Sequence, residues 1–205
     1  MIVVAIIGVL AAVAIPAFTK YIAKSKTSEA KTFVKRIYDG ARAYYMEPNY
    51  GTKSVTPVAP QFPRNDFAGG AAGGGSYAIA YGVATGEPIL HLAGGSCCVN
   101  SNVGGSEKCT PGPSLWHEGA TGNGATWEAL QFSVEDPTFY AYGYLRGNPN
   151  VVGQSGTFVD GFTASAIGDL DCDQTKSQFA MFGWVTSDTD GPAGTSAISK
   201  YNELE

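Results

Sequence analysis

A chain of 205 residues is long enough for one domain and a further segment, but not for two full domains. Its 27 glycines come with 12% aromatics, which excludes a disordered tail and favours a loop-rich β-domain. The net charge of −5 hides a split: Lys20 to Glu47 carries seven basic and three acidic residues, and the part from Pro48 onward carries six basic and fifteen acidic ones. The acidic part gives nucleic-acid binding little support. The basic neck fits anionic lipid headgroups or an acidic surface on a neighbouring molecule.

The run MIVVAIIGVLAAVAIPAFT, Met1 to Thr19, holds no charged side chain and flows without a turn signal into a lysine-rich stretch. As a helix it spans ~28 Å, close to the ~30 Å of a hydrocarbon core, which predicts a single-pass membrane segment or a bundled rod. A cleaved secretory signal is the competing reading, helped by Ala12-Val13-Ala14, but the run is longer than a usual signal core. All-round apolarity of this length also disfavours a core helix of a small domain. Gly8 and Pro16 are weak points: glycine has low helix propensity, and proline offers no N–H to the carbonyl of Ala12.

Beyond Thr19, the residues Ala30, Phe33, Val34, Ile37, Tyr38, Ala41, Tyr44 and Tyr45 recur at helical spacing and form one apolar stripe. Lys24, Lys31, Lys35, Arg36 and Arg42 fall largely off it and are expected to face outward. Pro48, Asn49 and Gly51 end the helix. From Gly51 to Gly75 the text is rich in proline and glycine and reads as a connecting loop, partly pinned by Phe62 and Phe67. Strands are expected within Ser76–Ala84, Pro88–Ala93, Ala125–Val134, Thr138–Arg146, Thr157–Ile167 and Ser177–Thr186, which together imply an antiparallel sheet. Along Thr138–Arg146, Tyr140, Tyr142 and Tyr144 alternate with Phe139, Ala141, Gly143 and Leu145. The small Ala141 and Gly143 suggest that the helix lies on their side.

The loop Gly94–Gly124 holds three of the four cysteines, Cys97, Cys98 and Cys109; the fourth is Cys172. An even number behind a membrane segment reads as disulfides in an oxidising compartment. Of the three possible pairings, the favoured ones join Cys97 or Cys98 to Cys109 and the other to Cys172, because a vicinal bond strains the peptide between its cysteines.

Catalytic signals are thin. His91 and His117-Glu118 lack the second histidine of a zinc protease, Gly153-Gln154-Ser155-Gly156 is only a glycine-rich turn, and Gly69–Gly75 lacks the lysine of a phosphate loop. The triplet Asp169, Asp171 and Asp173 opens like a calcium loop, with Ser177 at a ninth position. Gln174 and Ala180 stand where such a loop needs glycine and glutamate. Asp188-Thr189-Asp190-Gly191 could add carboxylates to it from a neighbouring turn, but solvated hairpin acids are the favoured reading, with no metal and no enzyme expected.

The string Met1 to Phe18 followed by a basic amphipathic helix closely resembles the N-terminal spine of type IV pilins, over about the first forty-five residues. The resemblance implies an α+β pilin fold: a spine helix over 1–47, its C-terminal half on an antiparallel β-sheet, and a globular β-domain with disulfide-bearing loops over 48–205. It implies a filament core packed by Ile2, Ala5, Ile6, Gly8, Val9, Ala12, Val13, Pro16 and Phe18, with the helix melting between Gly8 and Pro16 on assembly. Its partners would be copies of itself, the inner membrane before assembly, and the pilus assembly machinery, without a cofactor. In that family a peptidase site, an N-methylated aromatic residue and a glutamate precede the equivalent of Met1, so the natural chain is expected to start further upstream. A secretion-system pseudopilin and a single-pass anchored binding module are the rival expectations.

Overall fold

The computed structural model describes residues 2–47, 59–63, 78–79, 97, 108–109, 124–147, 158–173, 175–187 and 191–203. Among these residues two helices, α1 (Ile2–Met46) and α2 (Gly124–Ala129), accompany six strands: β1 (Ala78–Ile79), β2 (Ala141–Arg146), β3 (Phe158–Gly168), β4 (Ser177–Thr186), β5 (Ala193–Gly194) and β6 (Ser199–Tyr201). The sheet runs β1-β2-β3-β4-β5, with β6 also on β4, and every pairing is antiparallel. It is an α+β fold with a long N-terminal helix whose second half packs on the sheet.

On β4, Gly183 faces Gly194 and Ala180 faces Ser199, so three steps along β4 meet five on its neighbour. The last strand is thus interrupted between β5 and β6, where the Thr195 hydroxyl accepts the Phe182 N–H at 3.1 Å. Val159 bulges out of β3 between Phe158 and Asp160 and is exposed.

The helical stripe is the one the spacing predicts: Ala30, Val34, Ile37, Tyr38 and Ala41 are buried, joined by Thr27. Phe33 meets Phe132 and Tyr142 edge to face at 5.9 and 5.2 Å, and Tyr45 meets Phe62 at 4.8 Å. Phe62, fully buried, pins the connecting loop as expected; Phe67 lies outside the described residues.

The expectation for Ala141 and Gly143 fails. Register places Tyr142 beside Ala166 and Tyr144 beside Ala164, and those in turn beside Phe179 and Met181, all buried in the cluster that includes the helix. The helix therefore lies on the tyrosine side, and the small residues that admit it are Ala164 and Ala166 of β3. Ala141 faces the other way and packs with Cys97 and Cys109. A large aromatic can lie flat beneath a helix when the neighbouring strand supplies alanine, and three buried tyrosines bring far more apolar area than their small alternates.

A second expectation also fails: Ala125–Val134 is not a strand. It forms α2 and then a turn in which Gln131 adopts a φ of 50°. The amide of Phe132 donates to the carbonyl of Trp127 at 3.0 Å, closing the helix end from five residues beyond. Trp127 and Leu130 are buried at a three-residue step, Phe132 and Val134 at a two-residue step. Both periods share ten residues, which an alternation template reads as one strand.

The remaining strands keep close to their expected bounds, β4 to the residue. β1 falls inside Ser76–Ala84, whereas Pro88–Ala93, His91 and His117 lie outside the described residues, as do Gly69–Gly75, Gly153–Gly156 and Asp188–Asp190. The loop 59–63 is tied down by Arg146. Its guanidinium donates to both Asp160 oxygens at 3.0 and 2.8 Å and to Gln61 at 3.3 Å, and Asp160 accepts the Phe62 N–H at 3.2 Å.

Helix α1 meets α2 at Gly40, where a Cβ would stand 2.2 Å from the backbone oxygen of Leu130. Ordinarily Gly→Ala gains up to about 1 kcal/mol in a helix, but overpacking against backbone costs about 1–3 kcal/mol. Gly40→Ala should therefore lower the midpoint of denaturant unfolding, measured in detergent; an unchanged or higher midpoint would show that the contact is soft.

Candidate functional site

Residues 2–22 of α1 stand clear of the sheet. Ile2, Val9, Val13 and Phe18 are 78, 68, 72 and 64% exposed, and none of the apolar 18-residue window is buried. Ala5, Ile6, Gly8, Ala12 and Pro16 are exposed with them, on all sides of the rod. The sequence-derived set is thus brought together as one surface, with no residue of the globular part among it. By length and composition this helix can cross a membrane.

Pro16 sits inside the helix without interrupting it. The Thr19 hydroxyl donates back to the carbonyl of Pro16 at 3.0 Å. The weakness at Pro16 is therefore one missing backbone hydrogen bond, to the carbonyl of Ala12, within a continuous element. Nothing lies within 4 Å of a Cβ built on Gly8, so glycine there is not required by packing within the subunit.

The rod is anchored where it leaves the sheet. Glu29 accepts the Phe139 amide at 3.1 Å and the Tyr142 hydroxyl at 2.9 Å. Lys26 and Lys108 lie over the Phe139 ring, 4.6 and 4.5 Å from its centre. Two residues on, Lys31 pairs with Glu203, which also holds Lys200 at 3.1 Å, and Lys31 lies over Phe179. Arg36 and Arg42 lie over Phe132 and Tyr38, each 5.7 Å from the ring centre. The basic face turns outward as expected, with Lys24, Lys35, Arg36 and Arg42 exposed and Lys31 half-buried, while Lys31, Arg36 and Arg42 also lie over aromatic rings.

Burial raises the Glu29 carboxyl above its usual value, against the lowering pull of its Tyr142 and Phe139 hydrogen bonds and of Lys108. Burial likewise pushes Tyr140 up to about 12 and raises Tyr142 further, with the Glu29 charge adding to it. Hydrogen bonds from Lys31 and Lys200 hold Glu203 below the usual carboxylate range. This collar is a mechanical joint; no nucleophile and base meet in it.

Asp169, Asp171 and Asp173 are brought within 4.8 Å of one another in the β3–β4 turn, the first buried and the others exposed. The turn itself uses two of them: Asp171 accepts the Asp173 amide at 3.3 Å and Asp173 the Thr175 amide at 2.7 Å. Ser177 does not join them. Its hydroxyl is fully buried, 3.2 Å from both Tyr140 Oη and the carbonyl of Gly168. Cys97 and Cys109 form a disulfide, Cα atoms 4.9 Å apart, and Cys172 is also disulfide-bonded; Cys98 lies outside the described residues. The Cys97–Cys109 bridge sits against the Cys109–Thr138 backbone pairing and so fastens its loop to the entry of β2. No signal in the sequence marked Glu29, Lys108 or Glu203 as anchors, because each meets its partners across a wide gap in the chain.

A carboxyl whose folded value is raised holds its proton more tightly folded than unfolded. Its contribution to stability is therefore lost as pH climbs from 4.5 through the raised folded value, and is constant above it. Glu29→Gln keeps an acceptor for both donors and cannot ionise. The variant should gain stability relative to the parent across that window, seen in paired unfolding curves between roughly pH 4 and pH 8. A difference that does not change with pH would refute the assignment.

No protein-family model and no solved structure matches the chain. It is similar to the type IV major pilin protein PilA of Myxococcus xanthus (strain DK1622), 57% identical over 47 residues, which is 23% of this chain and 21% of that protein. The chain thus spans about a fifth of the length of the relative it matches. Together with the apolar N-terminal helix, this likeness supports a type IV pilin, and the resemblance read from the string Met1 to Phe18 stands at the level of that family.

Proposed function

We propose that this chain is a structural subunit of a type IV pilus, polymerising through its apolar N-terminal helix into an extracellular filament that serves adhesion, motility or DNA uptake. One observation carries the reading: a helix apolar on every side along 2–18 and exposed, on a domain whose core is complete without it. A soluble monomer does not keep such a surface in water. The rod is held in the inner membrane before assembly and then transferred among neighbouring rods.

Lipid tails are as apolar as leucine, so the transfer gains little from hydrophobicity. Its drive is close packing between helices, which Ala5, Gly8, Ala11, Ala12 and Ala14 permit. Gly8 and Pro16 let the rod loosen as it is extracted, because they lower local helix stability by about 1 and 3 kcal/mol relative to alanine. The likeness to a major pilin supports this assignment over a pseudopilin.

Electron microscopy of sheared surface material should reveal uniform fibres built of this chain; finding only membrane-bound monomer would refute the proposal. Gly8→Ala with Pro16→Ala should leave the globular part unchanged and impair assembly. Fibre yield and symmetry equal to the parent's would count against loosening of the rod.

A further inference from the structure

Between Met1 and Ser28 the chain carries three cations, Lys20, Lys24 and Lys26, and no carboxylate. The first acid along α1 is Glu29, and its oxygen is turned to the Phe139 amide and the Tyr142 hydroxyl. Lys20 and Lys24 are exposed, and among the described residues no carboxylate pairs with either. Lys26 shares the Phe139 ring with Lys108, just before β2. Helical rise sets the level of each cation. Lys20, Lys24 and Lys26 lie ~1.5, ~8 and ~11 Å beyond Thr19, where the uncharged span ends. A headgroup layer is ~5–7 Å thick on each side of the ~30 Å hydrocarbon core. Tyr21, 72% exposed, stands at the same level, where a ring with an apolar body and a polar tip is well placed.

We propose that this neck binds the phosphates of anionic phospholipids in the leaflet where the rod emerges, which rests on the membrane-held form proposed above. Level decides between lipid and an acidic surface on a neighbouring molecule. While the rod is in the bilayer, Lys20 and Tyr21 are among the headgroups, and a neighbour's folded domain cannot descend to them. Lysine stems supply the reach, lying along the helix while their ammonium groups rise to the phosphates. Charge beyond the neck sharpens the contact. From Pro48 onward fifteen acidic residues face six basic ones, so an anionic surface attracts the neck and repels the domain. The subunit is gripped at one level, with its domain held off the surface. Each neck lysine favours an anionic lipid by about fivefold in the headgroups it touches, a hold that is released when the rod leaves the bilayer.

The test reconstitutes the full chain in phosphatidylcholine vesicles with a trace of spin-labelled phosphatidylglycerol or spin-labelled phosphatidylcholine. Electron spin resonance gives the immobilised fraction of each label, and their ratio reports the lipid preference. The parent is expected to prefer phosphatidylglycerol, and less so as salt is added. Lys20→Gln with Lys24→Gln should bring the ratio close to one; both sites are exposed and glutamine suits a helix, so the fold is kept. Lys35→Gln, also exposed but ~24 Å beyond Thr19, should leave the parent's ratio unchanged. A parent without preference, a double variant that keeps it, or a Lys35 variant that loses it overturns the lipid assignment and leaves the membrane-held form standing. A double variant with the parent's lipid ratio and no fibres makes an acidic neighbour the partner instead. A parent chain that does not float with the vesicles overturns both readings.

Discussion

The controlling constraint is a helix that its own domain cannot cover. Residues 2–18 are apolar around the full circumference, and the sheet has one helix-binding face, already taken by the second half of α1. Burying a large aliphatic side chain is worth about 1.5–3 kcal/mol, so a rod with ten or so of them in water is not sustainable. The rod therefore calls for an outside cover, which the proposed function supplies first from lipid and then from other rods. Everything else in the molecule either holds the rod in place or keeps the domain soluble while it is held.

The holding is done by area and by a few directed bonds at the exit point. Tyr140, Tyr142 and Tyr144 lie beneath the helix, and their hydroxyls find partners in Ser177, Glu29 and the carbonyl of Pro63. A tyrosine buried without a partner would cost what its hydrogen bonds to water were worth. Glu29 thus settles two donors at once, at the expense of a desolvated charge. Lys26 and Lys108 across the Phe139 ring temper that charge from outside.

Much of this was legible in the residues because it is periodic. The spine stripe and β4 have one uncovered side and one covered side, so burial imprints the sequence at 3.6 or 2 residues. What could not be read is which face of β2 meets the helix. Alternation states that Tyr142 and Gly143 point oppositely, but it cannot say where the room is made, and the room lies across the sheet at Ala164 and Ala166. Ala125–Val134 failed for a related reason: a short helix and an extended tail each contribute two core residues, and their sum imitates alternation. The rod was fully legible, since an element that faces a single kind of surroundings has no pattern to misread.

Transmitting load along such a chain requires that the joint be stronger than the rod. At Gly8 and Pro16 the rod is weak by composition; nothing packs at Gly8, and Pro16 has only the Thr19 hydroxyl on its carbonyl. At the collar, by contrast, Glu29 and Lys31 reach β2 and the segment after β6, which lie on opposite sides of the helix-binding face. Pulling on the rod along its axis thus loads two strands through separate contacts before any aromatic leaves the core. On the proposed function the helix yields between Gly8 and Pro16 first, where breaking a turn exposes no buried area.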